Sequence, residues 1–300
     1  LCADSKTAGL WLKKYGPHFF HTNDAEVWGF LQQFGEWEPY EHEVKAKSGD
    51  RYYSLPINGI TLNELYNACD TLDDLDAYLE DVTIDDAGED AESHCLRTMG
   101  SELYFLFFEN YTVKQWGFHP RYLPASIVAR VPVRRDFDPR YFLDAFQAVP
   151  IDGYSVVMRR MLDHKNIEVV YGERVETPIQ GIWTGRIDAY FGEHLDYRCV
   201  SVDYHKKDIP AATVNYPGLE PYTRETRIGG NWIIREYPGW IGEPAYPVPT
   251  EPNVKKYAEL AERAAGLKDV RFAGRLGRFK YLNMDQAVRE AINLFREMNA

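Results

Sequence analysis

The spacing of apolar positions changes several times along the chain. Residues 44–58 (VKAKSGDRYYSLPIN) hold two short runs around Ser48-Gly49-Asp50, which predicts a hairpin. From 61 to 82 the period becomes helical. Leu62, Leu65, Tyr66 and Cys69 fall at i, i+3, i+4 and i+7, and Leu72, Leu75, Tyr78 and Leu79 resume the pattern after a break near Asp70. A further helix is predicted from about Ala87 to Phe108, with Ala91, Cys95, Leu96, Met99, Leu103 and Phe107 on one side. Residues 60–117 thus read as a small helical unit set between sheet-forming segments. Tyr154–Leu162 suits a helix, and Ile167–Tyr171 a short strand after a turn at His164-Lys165-Asn166. Between 180 and 240, short strand-like runs separated by turns at Gly192-Glu193, Gly218 and Gly229-Gly230 predict an antiparallel sheet. The end of the chain alternates: helix 252–265, strand 269–273, loop 274–283 and helix 284–298. That last helix carries Ala287, Val288, Ala291, Ile292 and Phe295 on one face and Asn283 as its N-cap.

Composition narrows the function. The 300 residues include 34 Lys+Arg and 46 Asp+Glu, a formal charge of −12. That balance argues against a nucleic-acid or anionic-membrane binder, since both require a basic face. No apolar run approaches the ~18–20 residues of a membrane span, and no basic-then-apolar signal pattern opens the chain. Cys2, Cys69, Cys95 and Cys199 are scattered without a CxxC pair, which excludes a zinc ribbon or disulfide scaffold and points to a reducing, cytoplasmic compartment. The length suggests about two domains. The 21 Tyr, 15 Phe and 7 Trp are mostly expected in core and sheet, with a minority free to stack rings and hydrogen-bond sugars.

Four motifs carry candidate chemistry. In Tyr15-Gly16-Pro17-His18-Phe19-Phe20-His21-Thr22 two histidines three residues apart come close if the segment makes a helical turn. A metal needs further ligands that no other His or Cys cluster supplies. A packed loop with hydrogen-bonded histidines and a pair donating to a conjugated ring both remain open. In Asn110-Tyr111-Thr112-Val113-Lys114-Gln115-Trp116-Gly117, Tyr111 and Trp116 suit the walls of a slot for a planar ring, or core. In Leu123-Pro124-Ala125-Ser126-Ile127-Val128-Ala129-Arg130, with Arg134 and Arg135 following and Arg224 on another strand, arginines gather in an acidic protein. Either carboxylates pair them or they await an anion such as a phosphate. Finally Phe272-Ala273-Gly274-Arg275-Leu276-Gly277, before Tyr281-Leu282-Asn283-Met284, places a glycine loop and a helix start at a strand's end, a site suited to a phosphate or an anionic ring. No GxGxxG occurs in the 300 residues, so no dinucleotide fingerprint is visible.

Together these strings resemble one family, the prokaryotic UDP-galactopyranose mutases. The matching segments are YGPHFFHTND (15–24), LPIN (55–58), NYTVKQWGFHP (110–120), LPASIVARVPVR (123–134), IDAYF (187–191), YTRE (222–225), REYPG (235–239), AYPV (245–248) and FAGRLGRFKYLNMDQ (272–286), spanning nearly the whole chain. The resemblance implies an α/β fold: an FAD-binding Rossmann-like domain (1–30, 140–178 and 249–300), an inserted helical bundle (60–117) and an antiparallel β-sheet domain (31–59, 118–139 and 179–248). It implies a flavin-dependent isomerase interconverting UDP-galactopyranose and UDP-galactofuranose. In the mechanism attributed to the family, N5 of reduced FAD attacks the anomeric carbon, UDP leaves, and the sugar recloses with the other ring size. By motif position Arg130 and Arg224 resemble the catalytic diphosphate arginines. Phe107, Phe108, Tyr111, Thr112, Trp116, Tyr141, Tyr246, Tyr281 and Asn283 resemble substrate contacts, and His18, His21, Gly274, Arg275 and Met284 resemble cofactor contacts. No metal, nucleic acid or membrane insertion is implied, and a homo-oligomer stays open.

The departures are specific. Asn283 stands where the family often has Asp, and Asp285 where it often has His. The segment between YTR and REYPG is shorter than in typical members. Members begin with a strand, GxGxxG and a helix that hold the ADP half of FAD; here residue 1 falls just after the family's next glycine pair. The expectation is an N-terminally incomplete FAD domain that binds FAD poorly as written. Two alternatives follow: a mutase for a different nucleotide sugar, or a non-catalytic UDP-sugar-binding remnant.

Overall fold

In a computed structural model, residues 2–7, 9–84, 88–173, 175, 177 and 179–299 are described. A seven-stranded sheet dominates. Its order is Pro244–Pro247, Tyr197–Lys206, Trp232–Gly239, Arg224–Gly229, Thr213–Asn215, Val44–Ser48 and Arg51–Leu55. The predicted antiparallel sheet needs one correction. Thr213–Asn215 runs parallel to Val44–Ser48, so two antiparallel blocks meet at a parallel seam. The seam arises because the 44–55 hairpin joins the later strands through its own edge. The hairpin itself follows the sequence: Gly49 takes φ +58 in its turn, and Val44 pairs with Leu55.

The helical segments lie where the period changes. Helix Gly59–Tyr66 is capped by Asn58 and Thr61 reciprocally, and helix Leu72–Val82 by Thr71 and Asp74. The long predicted helix begins at Ala91 instead; Ala87 lies outside the described residues. It is also not continuous. Gly100 breaks it at φ +76, where a Cβ would stand 2.6 Å from the Val82 carbonyl oxygen. Tyr104–Phe108 then form a π-helical turn before helix Glu109–Trp116. The wider turn buries the consecutive rings of Phe107 and Phe108 and leaves Phe105 outside. Leu75, Leu79, Cys95, Met99 and Leu103 pack in one core with Tyr53, Leu55 and Ile57 of the hairpin region. The helical cluster is thereby fixed over one end of the sheet.

A second body of smaller elements abuts the sheet. Phe20–Thr22, Phe146–Pro150 and Trp37–Pro39 form a three-stranded sheet, and Gly181–Trp183 pairs in parallel with Val270–Phe272. Helix Tyr154–Leu162 is present as predicted, its first N–H groups accepted by the Asp4 carboxylate. Ile167–Tyr171 forms no strand: no neighbouring edge pairs with it among the described residues, and β-branched composition alone does not supply hydrogen bonds. Helix Met284–Met298 starts at Asn283, whose N–H donates to Gln286 Oε1 at 3.0 Å. Its predicted apolar face divides. Val288 and Ile292 pack on Phe20, Val27 and Leu31, whereas Ala287, Ala291 and Phe295 line an open groove. Arg289 anchors this helix by donating to both oxygens of Asp24 and to Glu26. No helix among the described residues is long and apolar enough to cross a membrane.

Candidate active site

Between the sheet, helix Glu109–Trp116 and the small three-stranded sheet lies a cleft of about 440 Å³. All the site residues predicted from sequence line it except one. Gly274 faces the separate groove beside the last helix, at φ +74 with open space where a Cβ would be. Its neighbour Arg275 faces the cleft, so the glycine loop divides between two surfaces.

Helical spacing explains one aromatic wall of the cleft. Tyr111, Thr112 and Trp116 of helix Glu109–Trp116 face the cleft, with Phe107 and Phe108 presented by the π-helical turn before it. Trp116 meets Tyr246 edge-on at 5.9 Å, and Tyr246 stacks on Tyr281 at 5.8 Å with 9° between planes. Trp116 thus belongs to the main core while lining the cleft, and a strand and a loop from the far end of the chain bring Tyr246 and Tyr281 beside it.

The arginines separate into two groups. Arg134 is buried and donates to the Arg140 carbonyl and to Asp136, and Arg135 pairs with Asp76, so both are answered by protein groups. Arg130 makes no ion pair among the described residues. It donates to the Ile127 carbonyl and lies over the Tyr281 ring at 4.8 Å. Arg224 is clamped in a bidentate pair by Glu236, which stands directly across the sheet and is 2% exposed. Among the described residues the remaining guanidinium donors of Arg224 meet no other partner, and the residue lines the cleft. Arg275 lies on the other face of Tyr281 at 4.5 Å, tied to the Ala245 and Leu282 carbonyls. Burial raises the Tyr281 phenol, but Arg130, Arg275 and Arg224 outweigh it and pull the group below the usual tyrosine value.

The histidine motif makes no helical turn. His18 lies in a loop and His21 on strand Phe20–Thr22. His18 Nδ1 is 3.0 Å from the Gly16 carbonyl, and burial lowers its pKa to about 4. His21 Nδ1 is 2.6 Å from Asp144, and its ring stacks on Phe142 at 3.7 Å. Among the described residues no group of three or more His, Cys, Asp or Glu side chains suits a metal.

Sequence reasoning misses several lining residues. Glu236 sits in the REYPG string, but only strand register reveals that it meets Arg224. His42, between two glutamates, carries no motif. It is buried between Phe19 and Phe142, hydrogen-bonded to the Tyr40 hydroxyl, and burial lowers its pKa to about 3. Asn215 reaches the cleft from the strand beside Arg224.

A family model described as UDP-galactopyranose mutase matches residues 106–281. The chain is 34% identical to a probable UDP-galactopyranose mutase of Klebsiella pneumoniae, over 93% of this chain and 79% of that one. It is 31% identical to a dTDP-fucopyranose mutase of Escherichia coli, over 96% and 85% respectively. Its fold matches a crystal structure of reduced UDP-galactopyranose mutase with a TM-score of 0.75, covering 99% of this chain and 86% of that one at 14% identity.

Proposed function

Because the chain belongs to the UDP-galactopyranose mutase family, we propose that the cleft binds UDP-galactopyranose and interconverts it with UDP-galactofuranose. The observation that supports this most directly is the pairing of two unlike arginines in one cleft. Arg224 is fixed by Glu236, and Arg130 lines the same cleft without a carboxylate partner among the described residues. A diphosphate placed between them gains two charge-assisted contacts, and the same charges stabilise UDP as it leaves the anomeric carbon. Tyr111, Tyr141, Tyr246 and Tyr281 surround that position with hydroxyl donors. Phe107, Phe108 and Trp116 supply the flat walls for the base, Thr112 a hydroxyl beside it, and Asn283 an uncharged amide near the sugar.

We assign the wall made by His18, His21 and Met284 to the ring of FAD in its reduced form, with Gly274 and Arg275 toward the cofactor's phosphates. The residues present fit such a ring. His18 is held neutral by burial, and His21 and Met284 line the same part of the cleft, so the wall is uncharged on the His18 side and apolar on the Met284 side. When bound, reduced FAD supplies the nucleophile that makes a ring-size change feasible without net redox. The chain's own residues hold UDP, orient the sugar and exclude water. On this reading 1–30, 140–178 and 249–300 form the Rossmann-like cofactor domain, 60–117 the inserted bundle, and 31–59, 118–139 and 179–248 the sheet domain.

The similarity to a dTDP-fucopyranose mutase supports a second reading, the same ring interconversion on a thymidine-linked deoxy sugar. The test of both is product analysis with added FAD under dithionite, offering UDP-galactofuranose and dTDP-fucofuranose in parallel. Pyranose formation from the uridine substrate supports the first reading, and formation from the thymidine substrate alone replaces it. No turnover of either, with UDP still bound, leaves a binding protein.

A further inference from the structure

Helix Glu109–Trp116 carries Tyr111, Thr112 and Trp116 into the cleft, but Lys114 leaves the same helix toward the sheet. Its ammonium donates to three main-chain carbonyls of one loop: Tyr216, Glu220 at 3.0 Å and Tyr222 at 3.1 Å. A lysine has three donors, and here all are spent on backbone oxygens; no carboxylate pairs with it among the described residues. The loop it gathers ends two residues before Arg224. Its base is closed by Tyr216 N–H donating to the Thr223 carbonyl, while Thr223 N–H donates to the Glu236 carbonyl. The last turn of the helix is held as well. Arg198 donates to the Lys114 and Gln115 carbonyls at 2.8 and 3.1 Å and stacks on Trp240.

We propose that Lys114 is a positioning residue for Arg224: it locks the 216–222 loop to the base-side helix, so that the wall that meets the nucleobase also sets where the diphosphate arginine stands. This rests on the proposed UDP site. Losing the three contacts loosens the approach to Arg224 without touching the base wall. The test compares UDP with uridine, which lacks the diphosphate, by calorimetric titration of the wild-type chain, Lys114→Met, Arg224→Ala and the double variant. Lys114→Met is expected to weaken UDP about 10-fold, the size of one degraded charge-assisted contact. Uridine should stay within about 2-fold, and the substitution should add nothing once Arg224 is already alanine. Equal weakening of uridine and UDP would reduce Lys114 to a support for the helix and overturn the proposal, as would an unchanged UDP affinity or additivity with Arg224→Ala. If Lys114→Met does not fold, Lys114→Arg carries the same test. Its planar fork cannot serve three converging carbonyls, and a smaller loss confined to UDP is expected. A wild-type chain that binds neither ligand, or whose UDP affinity ignores Arg224→Ala, refutes the UDP site itself and the positioning role with it.

Discussion

Replacing Gly16 by alanine isolates how tightly the Arg224 clamp is built. Gly16 has φ +90, and a Cβ there would stand 2.7 Å from Glu236 Oε1. Two costs follow. A Cβ in the left-handed region costs about 1–2 kcal/mol wherever it occurs. The contact would be cheap if the carboxylate could swing away, but it is 2% exposed and holds Arg224 with both oxygens. Degrading a charge-assisted bond of this kind adds about 1.5–3 kcal/mol. The total is roughly 2.5–5 kcal/mol, which at about 2 °C for each kcal/mol in a chain of this length lowers the melting temperature by roughly 5–10 °C. Gly192 supplies the control. It has φ +69, and a Cβ at that position would meet nothing within 4 Å, so Gly192→Ala carries only the backbone cost, about 2–4 °C. Thermal unfolding followed by far-ultraviolet circular dichroism measures both. Combining Gly16→Ala with Glu236→Ala should return the Gly16 effect to the backbone cost alone. Gly16→Ala and Gly192→Ala melting together, within about 0.5 kcal/mol, would show that Glu236 yields freely and that Arg224 is not held as described.

Arg130→Ala and Arg224→Ala should each weaken UDP roughly 10- to 150-fold, the loss of about 1.5–3 kcal/mol from a hydrogen bond to a charged group, with thermal stability changed less for Arg130 because no ion pair is broken; calorimetric titration reads both. The histidines set an acid limit. Burial lowers His18 to about 4 and His42 to about 3. Below an unfolded pKa of about 6.5 the unfolded chain takes up protons that the native imidazoles refuse, so this stability is present above that pH and lost as pH falls toward about 4. Melting temperatures from about pH 7 to about pH 4 should decline, and His42→Gln should flatten the slope; an unchanged slope would place His42 in contact with water. Tyr281 has the opposite reach. Its phenol is pulled below the usual tyrosine value, so stability from its ionised form is present above an unfolded pKa of about 10 and lost as pH falls through the lower native one. Absorbance near the tyrosinate band should show one phenol titrating early, and Tyr281→Phe should remove that component.

The fold is legible wherever structure is local. The 44–55 hairpin, the cap at Asn283 and the helices at 154–162 and 284–298 depend on neighbours within a few residues, and the sequence reports those neighbours directly. What escapes is set by distant partners. Nothing in Val44–Ser48 announces that it will lie parallel to Thr213–Asn215, and nothing in Ile167–Tyr171 announces that no edge among the described residues will receive it. The π-helical turn at Tyr104–Phe108 reads in the sequence as ordinary helix, because one extra residue in a turn barely disturbs an apolar period while it redirects Phe107 and Phe108.

The site divides along the same line, and the Arg224–Glu236 pair shows why. The motif strings name Arg224 because an arginine in that string is distinctive; its partner is a matter of register. Counted from the turn, where Gly229 faces Trp232, an unbroken ladder would place Arg224 opposite Tyr237. A one-residue irregularity between Arg227 and Gly229 shifts the pairing, so that Arg227 faces Ile233 and Arg224 faces Glu236. Side chains alternate in direction along a strand, so the shift decides whether the arginine's cross-strand neighbour is a buried carboxylate or a phenol. It therefore decides whether the guanidinium is oriented before a ligand arrives. A glycine pair in the turn is visible in the sequence, but which side of the turn takes the extra residue is settled by how the two strands fill the sheet beside Tyr197–Lys206 and Thr213–Asn215. The chemistry-bearing residue is thus local information, and the residue that makes it useful is tertiary.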